Sequence, residues 1–357
     1  MYVFLGLNGI EIAATEEESP QDVMPAPLCE KFSRLLRQMQ RDAEIAQITQ
    51  LFPEASARRY YRLTLQDGGT LVGVHEDPAS ARVNMPNVIA VQRFLASGGV
   101  AVPQIYASDM ASGVMLQQDL GDVSLNQILK DQRDQVELYY QDAILHMLSW
   151  QRLRDDGKCP AFKLSFDAEK LMFEFEFFIE HTLLGYYHAQ LTDAELSALR
   201  AAFAKIAAQL ASYPYKVFTH RDYHSRNIMV FAGRQYVIDF QDARMGLFHY
   251  DLCSLLCDAY APLSVARRVR LLDFAFEQGR DIHRQTRGEF DHYWQWSAFQ
   301  RTVKAMGTFG RQAALGREDF AAYLPLAWQM LREVSEQDRE LRLLAERLQG
   351  YTLSSQG

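Results

Sequence analysis

Two segments constrain what this chain can fold into more than any other: His220-Arg221-Asp222-Tyr223-His224-Ser225-Arg226-Asn227, and a short way on Val237-Ile238-Asp239-Phe240. Val217-Phe218-Thr219 is an apolar lead-in to the first, and Gln235-Tyr236-Val237-Ile238 is a strand-like run reached through Ala232-Gly233, a hairpin signal. Paired strands would then present Asp222, Asn227 and Asp239 from their ends. Those are the groups that phosphoryl transfer asks of a protein: an Asp to orient the attacking hydroxyl and accept its proton, and an Asn and a second Asp to hold magnesium on the phosphates. Either half of the pattern alone reads equally well as turn residues. Both halves in order predict Asp222 as the base and Asn227 and Asp239 as metal ligands.

Eukaryotic-type protein kinases usually carry a Lys two residues after the catalytic Asp. Here His224 stands there, and the loop resembles the HGDLHPGN-type loop of the aminoglycoside and choline kinase superfamily. The resemblance implies a small-molecule acceptor. In agreement, the stretch from Asp239 to Tyr250-Asp251-Leu252 is too short for an activation loop and a peptide-docking platform, and no APE motif follows. Asp251 resembles the superfamily's structural Asp, which steadies the catalytic loop together with His220; a plain helix N-cap before Leu252-Cys253-Ser254-Leu255-Leu256 is the other reading.

The chain has 357 residues, enough for two lobes, with 48% hydrophobic residues and a formal net charge of −8. That charge argues against a broad nucleic-acid surface. Cys29, Cys159, Cys253 and Cys257 have neither zinc-site spacing nor the density of a disulfide framework, so reduced thiols and a cytoplasmic setting are expected. Cys253 and Cys257 lie one helical turn apart in apolar company, which reads as core rather than metal site. The apolar opening Met1 to Leu7 has no basic n-region and soon meets Glu16-Glu17-Glu18, which excludes a signal peptide or membrane span. Oligomeric state is not legible.

Residues 1–27 read as a leader, either a frayed extension or an extra strand. Residues 28–118 read as an N-lobe: an amphipathic helix from Leu28 to Arg41, antiparallel strands at Ile45 to Phe52, Arg58 to Gln66 and Thr70 to His75, a helix from about Asn87 to Ser97, and strands around Ile105 to Ser108 and Gly113 to Gln118. The mainly helical C-lobe spans 119–350 and a tail 351–357. Thr192-Asp193-Ala194-Glu195 is a capping box for a core helix, and two last helices are expected near His292 to Leu315 and Phe320 to Leu348, with Gly316 and Gly350 as stops. The fold class expected is α+β, a bilobal protein-kinase-like fold with a small antiparallel sheet in the first lobe. Gln118 and Asp119 fall at the hinge, where the superfamily reads the adenine edge.

One expected feature is missing. Many kinases place a phosphate-binding Lys on the third strand and pair it with a Glu on the next helix; here the matching run is Val72-Gly73-Val74-His75, and no Asp or Glu lies between Ser80 and Ala107. The pair reads as lost together, and Arg58, Arg59 and Arg62 are the candidate replacements. Strand alternation sets Arg58 and Arg62 on the face opposite Arg59 and Tyr61, and a solvated strand edge remains the other reading.

The set Ala57-Arg58-Arg59-Tyr60-Tyr61-Arg62, Asp119-Leu120-Gly121, the catalytic loop, Val237 to Ala243, Tyr250-Asp251-Leu252 and Gln300-Arg301-x-x-Lys304 is similar, from about Thr49 to Leu331, to the bacterial anomeric kinases of N-acetylmuramate and N-acetylglucosamine. These also lack the third-strand Lys; the long leader is the main departure. The resemblance implies ATP and magnesium as cofactors, an amino-sugar acceptor from cell-wall recycling, and His224, Arg301 and Lys304 on the acceptor side. Independently, Arg301, Lys304, Thr308 and Arg311 share one helix face, a basic stripe that either meets an acidic substrate or is simply solvated. Trp294, Trp296 and Phe299 read as packing or as sugar-stacking rings.

Overall fold

The computed structural model describes residues 26–39, 44–51 and 58–353. Residues 1–25, 40–43, 52–57 and 354–357, with most of the expected leader among them, lie outside them. Helix α1 (Ala26–Gln38) comes first, then strands β1 (Ile45–Leu51), β2 (Arg59–Leu65) and β3 (Thr70–His75), helix α2 (Pro78–Ser97), and strands β4 (Ile105–Asp109) and β5 (Val114–Gln118). The five strands form one antiparallel sheet in the order β1-β2-β3-β5-β4. Alternation along β2 and β3 gives the sheet two apolar faces. Tyr61, Leu63, Leu65 and Leu71 pack under Phe32, Leu35 and Leu36 of α1, while Val72, Val74 and Met115 face α2 and the cleft below. Gly73 lets α1 come close, since a Cβ there would lie 2.7 Å from the Phe32 ring.

Helix α2 begins nine residues before the sequence suggested. Asp77 caps it by accepting from the Ala79 and Ser80 backbone N–H groups, Pro78 occupies the first turn, and Pro86 is carried inside the helix. An internal proline normally costs about 3 kcal/mol and reads as a helix boundary. Here the burial of Met85, Val88 and Val91 holds the helix together across it.

The remaining chain is mainly helical: α3 (Leu125–Asp131), α4 (Val136–Gln151), α5 (Ala168–Phe178) running on as a π-helix over Ile179–Tyr186, and α6 (Asp193–Ala211) with its Thr192–Glu195 capping box formed. Short strands β6 (Val217–Thr219), β7 (Ile228–Phe231), β8 (Arg234–Val237) and β9 (Arg244–Gly246) interrupt it, β6 pairing with β9 and β7 with β8. Then follow α7 (Phe248–Leu256), α8 (Val265–Gln278), α9 (Arg280–His283), α10 (Arg287–Ala314), α11 (Glu318–Ala321), α12 (Leu324–Ser335) and α13 (Arg339–Leu353). The α+β, two-lobed architecture is as expected.

Helix α10 is the spine of the C-lobe, in contact with α5, the π-helix, α7 and α12. It starts at a Thr286–Glu289 capping box, five residues before the expected start. Gly310 lets the π-helix approach, as a Cβ there would meet the Thr182 hydroxyl at 2.3 Å. The single last helix of the sequence reading is three, because Leu324-Pro325 restarts the chain and Asp338 opens another turn; Gly350 lies inside α13 rather than ending it. No helix among the described residues is long and apolar enough to cross a membrane.

Candidate active site

The β7–β8 hairpin closes through Ala232 and Gly233, both at positive φ (49° and 75°). At its open end, where Ile228 pairs with Val237, the catalytic loop leads into one strand and Asp239 follows the other. The loop itself is fixed from beneath. Asp251, wholly buried in the first turn of α7, accepts the backbone N–H groups of His220 (2.7 Å) and Arg221 (2.9 Å), and the Trp150 indole N–H at 3.3 Å. The N-cap of α7 is Leu247, so Asp251 is no cap. His220 ties the loop to the next strand: its Nε2 bonds the Ile238 carbonyl oxygen at 2.8 Å, and its Nδ1 receives the Asp222 N–H at 3.3 Å. That bonding makes it a neutral imidazole, in line with burial lowering its pKa. Arg221 and Asp239 sit at φ +86° and +66°, conformations that side chains other than glycine rarely adopt and that persist only where the surroundings impose them.

These residues floor a cleft of about 1010 Å³ between the lobes. At one end, Leu51, Val72, Val74, Met115, Met229 and Ile238 make an apolar slot beside the hinge at Gln117 to Asp122. The hinge is braced: the Asp119 carboxylate receives Arg62 Nε at 2.7 Å and the Gly121 N–H at 2.9 Å, and Arg62 also grips Asp122 at 2.8 Å. Gln118 donates its N–H to the Gln104 carbonyl oxygen at 2.8 Å and accepts the Gln104 N–H on its side-chain oxygen at 3.3 Å. Both residues line the slot.

In the middle, Asn227 Nδ2 donates to the Asp222 carbonyl oxygen at 2.9 Å and lies 3.4 Å from Asp239 Oδ2, while Gln241 donates to Asp239 Oδ1 at 2.6 Å. Fixing the amide nitrogen in this way leaves Asn227 Oδ1 as the group available to a cation. Burial pushes the Asp239 carboxyl up to about 6, with Asp222 and Asp242 adding to it. The groups that converge here, Asn227 Oδ1 and the Asp239 carboxylate, are oxygen donors. Two oxygen ligands, with the rest supplied by phosphates and water, suit magnesium. No group of three His, Cys, Asp or Glu side chains able to hold a metal is found among the described residues.

At the other end Asp222 meets α10. Lys304 Nζ bonds Asp222 Oδ1, Arg301 reaches the same oxygen at 3.2 Å, and Arg301 Nε also donates to the Ser254 hydroxyl at 2.6 Å. Burial works to raise the Asp222 carboxyl, but Lys304, Arg221 and Arg301 overcome it and hold the group well below the usual range. Burial and the neighbouring Arg301 bring Lys304 down to about 8. His224, against the Tyr260 ring, is pushed to about 3 by burial and is neutral. The basic stripe thus faces the cleft, not solvent, as far as Thr308; Arg311 is exposed beyond it, over the Phe177 ring. Trp294, Trp296 and Phe299 are core packing.

Two of the three candidate cations are placed elsewhere. Arg59 is exposed on the α1 face of the sheet, because alternation allows only one of two neighbours to face the cleft. Arg62 is spent on the hinge carboxylates. Arg58 lines the cleft and pairs with Glu76 at 3.5 Å, so an acid–base pair exists where none was expected. Sequence reading also missed Glu174, buried in the cleft wall and accepting from Gln300 at 2.8 Å and from the Tyr250 hydroxyl at 3.1 Å. It further missed Arg226, stacked 3.8 Å from the Tyr260 ring centre. Nothing in the aromatic run around Glu174 marks it. Cys253 and Cys257 reach the cleft wall as protonated thiols, Cys257 pushed up to about 11 by burial.

With this geometry in place, the comparisons with known proteins agree. The model of the phosphotransferase enzyme family matches residues 47–290. The chain belongs to that family and is a small-molecule phosphotransferase. It is 28% identical over 294 residues to an N-acetylmuramate/N-acetylglucosamine kinase of Neisseria meningitidis serogroup B, covering 81% of this chain and 85% of that one. It is 30% identical over 303 residues to one of Pseudomonas putida, covering 84% and 86%. Among solved structures, an ADP-bound aminoglycoside phosphotransferase superposes with a TM-score of 0.58 at 15% identity, over 84% of this chain and 98% of that one. A choline/ethanolamine kinase family protein from Mesorhizobium loti gives 0.57 at 16%, over 90% and 99%.

Asp251→Ala should orphan the buried N–H groups of His220 and Arg221 and cost roughly 1–3 kcal/mol for each. Denaturant unfolding checks this. Asp251→Asn, which keeps one acceptor oxygen, should lose less, and an unchanged midpoint for the Ala variant would contradict the network.

Proposed function

We propose that this protein is an ATP- and magnesium-dependent kinase that phosphorylates the anomeric hydroxyl of an N-acetylated hexosamine, with N-acetylmuramate as the best acceptor. The observation that carries this reading is the pair of buried cations, Arg301 and Lys304, beside the candidate base Asp222. Two buried cations favour an anionic acceptor over a neutral one, and a cationic alcohol would be repelled. An acceptor with a carboxylate near the reacting hydroxyl, such as the lactyl group of N-acetylmuramate, matches them. The named activities of the two bacterial relatives point the same way.

In this reading adenine occupies the apolar slot beside Gln118 and Asp119, Arg58 faces the phosphates, and Asn227 and Asp239 hold magnesium. Magnesium held by these two residues would neutralise charge that develops on the transferred phosphoryl group. Asp222 accepts the C1 hydroxyl proton as that oxygen bonds to the γ-phosphorus and the bond to the ADP oxygen breaks. In the free protein Lys304 and Arg301 keep Asp222 ionised but weakly basic. A substrate carboxylate that draws Lys304 toward itself returns basicity to Asp222 when the acceptor is in place. His224, neutral and against Tyr260, lines the acceptor side without adding charge. A catalytically silent regulator is disfavoured by the retention of Asp222, Asn227 and Asp239 in one cleft.

Reducing amino sugars and their 1-O-methyl glycosides form the discriminating pair: the methyl glycosides should give no phosphorylated product, because only C1 oxygen is blocked. Phosphate on a methyl glycoside, or turnover of an aminoglycoside or choline but of no amino sugar, overturns the acceptor assignment. Asp222→Asn should lower kcat by about 10²–10⁴-fold while nucleotide affinity, measured by calorimetry, is retained. Turnover near wild type in the folded variant removes Asp222 from the role of base.

The lowered pKa of Lys304 gives a pH dependence with a defined sign. Lys304 is charged below about 8 and neutral above it, so the attraction for an anionic acceptor is lost as pH rises. The ratio of kcat/KM for N-acetylmuramate to that for N-acetylglucosamine should fall as pH rises through about 8. Lys304→Met should flatten that ratio. A ratio independent of pH in the wild type would separate Lys304 from acceptor charge recognition.

A further inference from the structure

The residue that follows β3, on the side that its alternation shares with Val72 and Val74, is an acid. Leu71, Gly73 and His75 point to the α1 side, where Leu71 joins the α1 core, Gly73 meets Phe32, and His75 feels Lys31 and Arg59. Val72 and Val74 point to the cleft, and Glu76 continues their alternation. Glu76 is only 5% exposed. Its Oε2 faces Arg58 Nε at 3.5 Å and accepts Asn84 Nδ2 of α2 at 3.1 Å; its Oε1 is buried and makes no hydrogen bond among the described residues. Helix α2 thus supplies an amide, the third strand an acid, and the residue just before β2 the base.

A buried carboxylate with an unsatisfied oxygen is costly unless a cation answers it, and a carboxylate beside a guanidinium restricts where that guanidinium can go. Arg58 lines the cleft, bonds the Tyr60 side chain, and lies close enough to Asp239 to lower that carboxyl. Its reach is therefore toward the place where Asp239 would meet a nucleotide's phosphates. On the kinase reading above, we propose that Glu76, steadied by Asn84, is a positioning residue that holds Arg58 against the triphosphate. The familiar arrangement is reversed, with the acid just after the third strand and the cation just before the second.

The test is a double-mutant cycle on the full chain: wild type, Glu76→Gln, Arg58→Ala and the double variant, with Mg·ATP and adenosine binding measured by calorimetry. Glu76→Gln should weaken ATP about tenfold, leave adenosine unchanged, and add nothing further in the Arg58→Ala background, which is the signature of residues that act through one another. In turnover it should raise the nucleotide KM without moving the acceptor KM. Should Glu76→Gln fail to fold, Glu76→Asp and Asn84→Ala carry the same comparison, since both displace the carboxylate without removing its charge. Equal losses for ATP and adenosine, or the same loss with and without Arg58, overturn the positioning role. If the wild type binds adenosine but gains nothing from the triphosphate, the nucleotide reading itself falls. An additive cycle on a wild type that does prefer ATP sinks Glu76 alone.

Discussion

The buried carboxylate of Asp251 is the interaction on which the rest of the site depends. It takes two consecutive backbone N–H groups at 2.7 and 2.9 Å, and so fixes the chain direction entering the catalytic loop. Arg221 is thereby held at φ +86°, a conformation that the loop would not keep by itself. The next residue, Asp222, consequently projects toward α10 rather than along the strand. His220 extends the same constraint sideways through the Ile238 carbonyl oxygen, which immediately precedes Asp239. One carboxylate and one neutral imidazole thus set the relative positions of the two acids that face the cleft. Burial lowers His220, which keeps the imidazole neutral, and the upward push of burial on Asp251 is opposed by His220 and by the N–H groups the carboxylate accepts.

The same scaffold drives two carboxylates of one cleft in opposite directions. Asp222 stands among Lys304, Arg221 and Arg301 and is held low; Asp239, twelve residues from Asn227 in sequence but beside it in space, has no such company and is pushed up to about 6. Environments that separate the pKa values of paired acids mark out their different roles. The division follows from which element each acid faces: Asp222 looks at α10, which brings cations, and Asp239 looks at the sheet, which brings Tyr60 and Arg58. In a protein of net charge −8, gathering the cations of α10 at one end of the cleft also focuses a field attractive to anions there.

How much of this was legible depended on whether the information was local. The strands β1 to β5, the hairpin at Ala232-Gly233 and the Thr192 capping box are written in alternation and turn chemistry, and each formed within a few residues of its expected place. Boundaries failed where a local rule was overridden by packing: Pro86 was carried inside α2 by the core beneath it, and Gly350 inside α13. The grouping of Asp222, Asn227 and Asp239 was visible because one hairpin carries all three. Glu174 and Glu76 were not, since each acquires its meaning from partners far away in sequence, Gln300 and Tyr250 for the one and Arg58 for the other. The basic stripe of α10 was visible as a stripe, yet its direction was not, because helical spacing fixes which residues share a face but not what that face meets.

The absent third-strand Lys illustrates why a missing motif residue differs from a missing interaction. The partner acid of this wall is Glu76, four residues before Ser80 and just past β3, where it pairs with Arg58. An ion pair needs its two charges on the same side of the sheet, and either strand end can contribute either charge. Alternation made Arg58 and Glu76 inward positions and Arg59 and His75 outward ones. The outward pair is registered directly across the same two strands, Arg59 opposite His75, so a shift of one residue in either strand would have exchanged the faces. The register of β2 on β3, fixed by the leucines under α1, is therefore what decides that the cleft receives an ion pair at all.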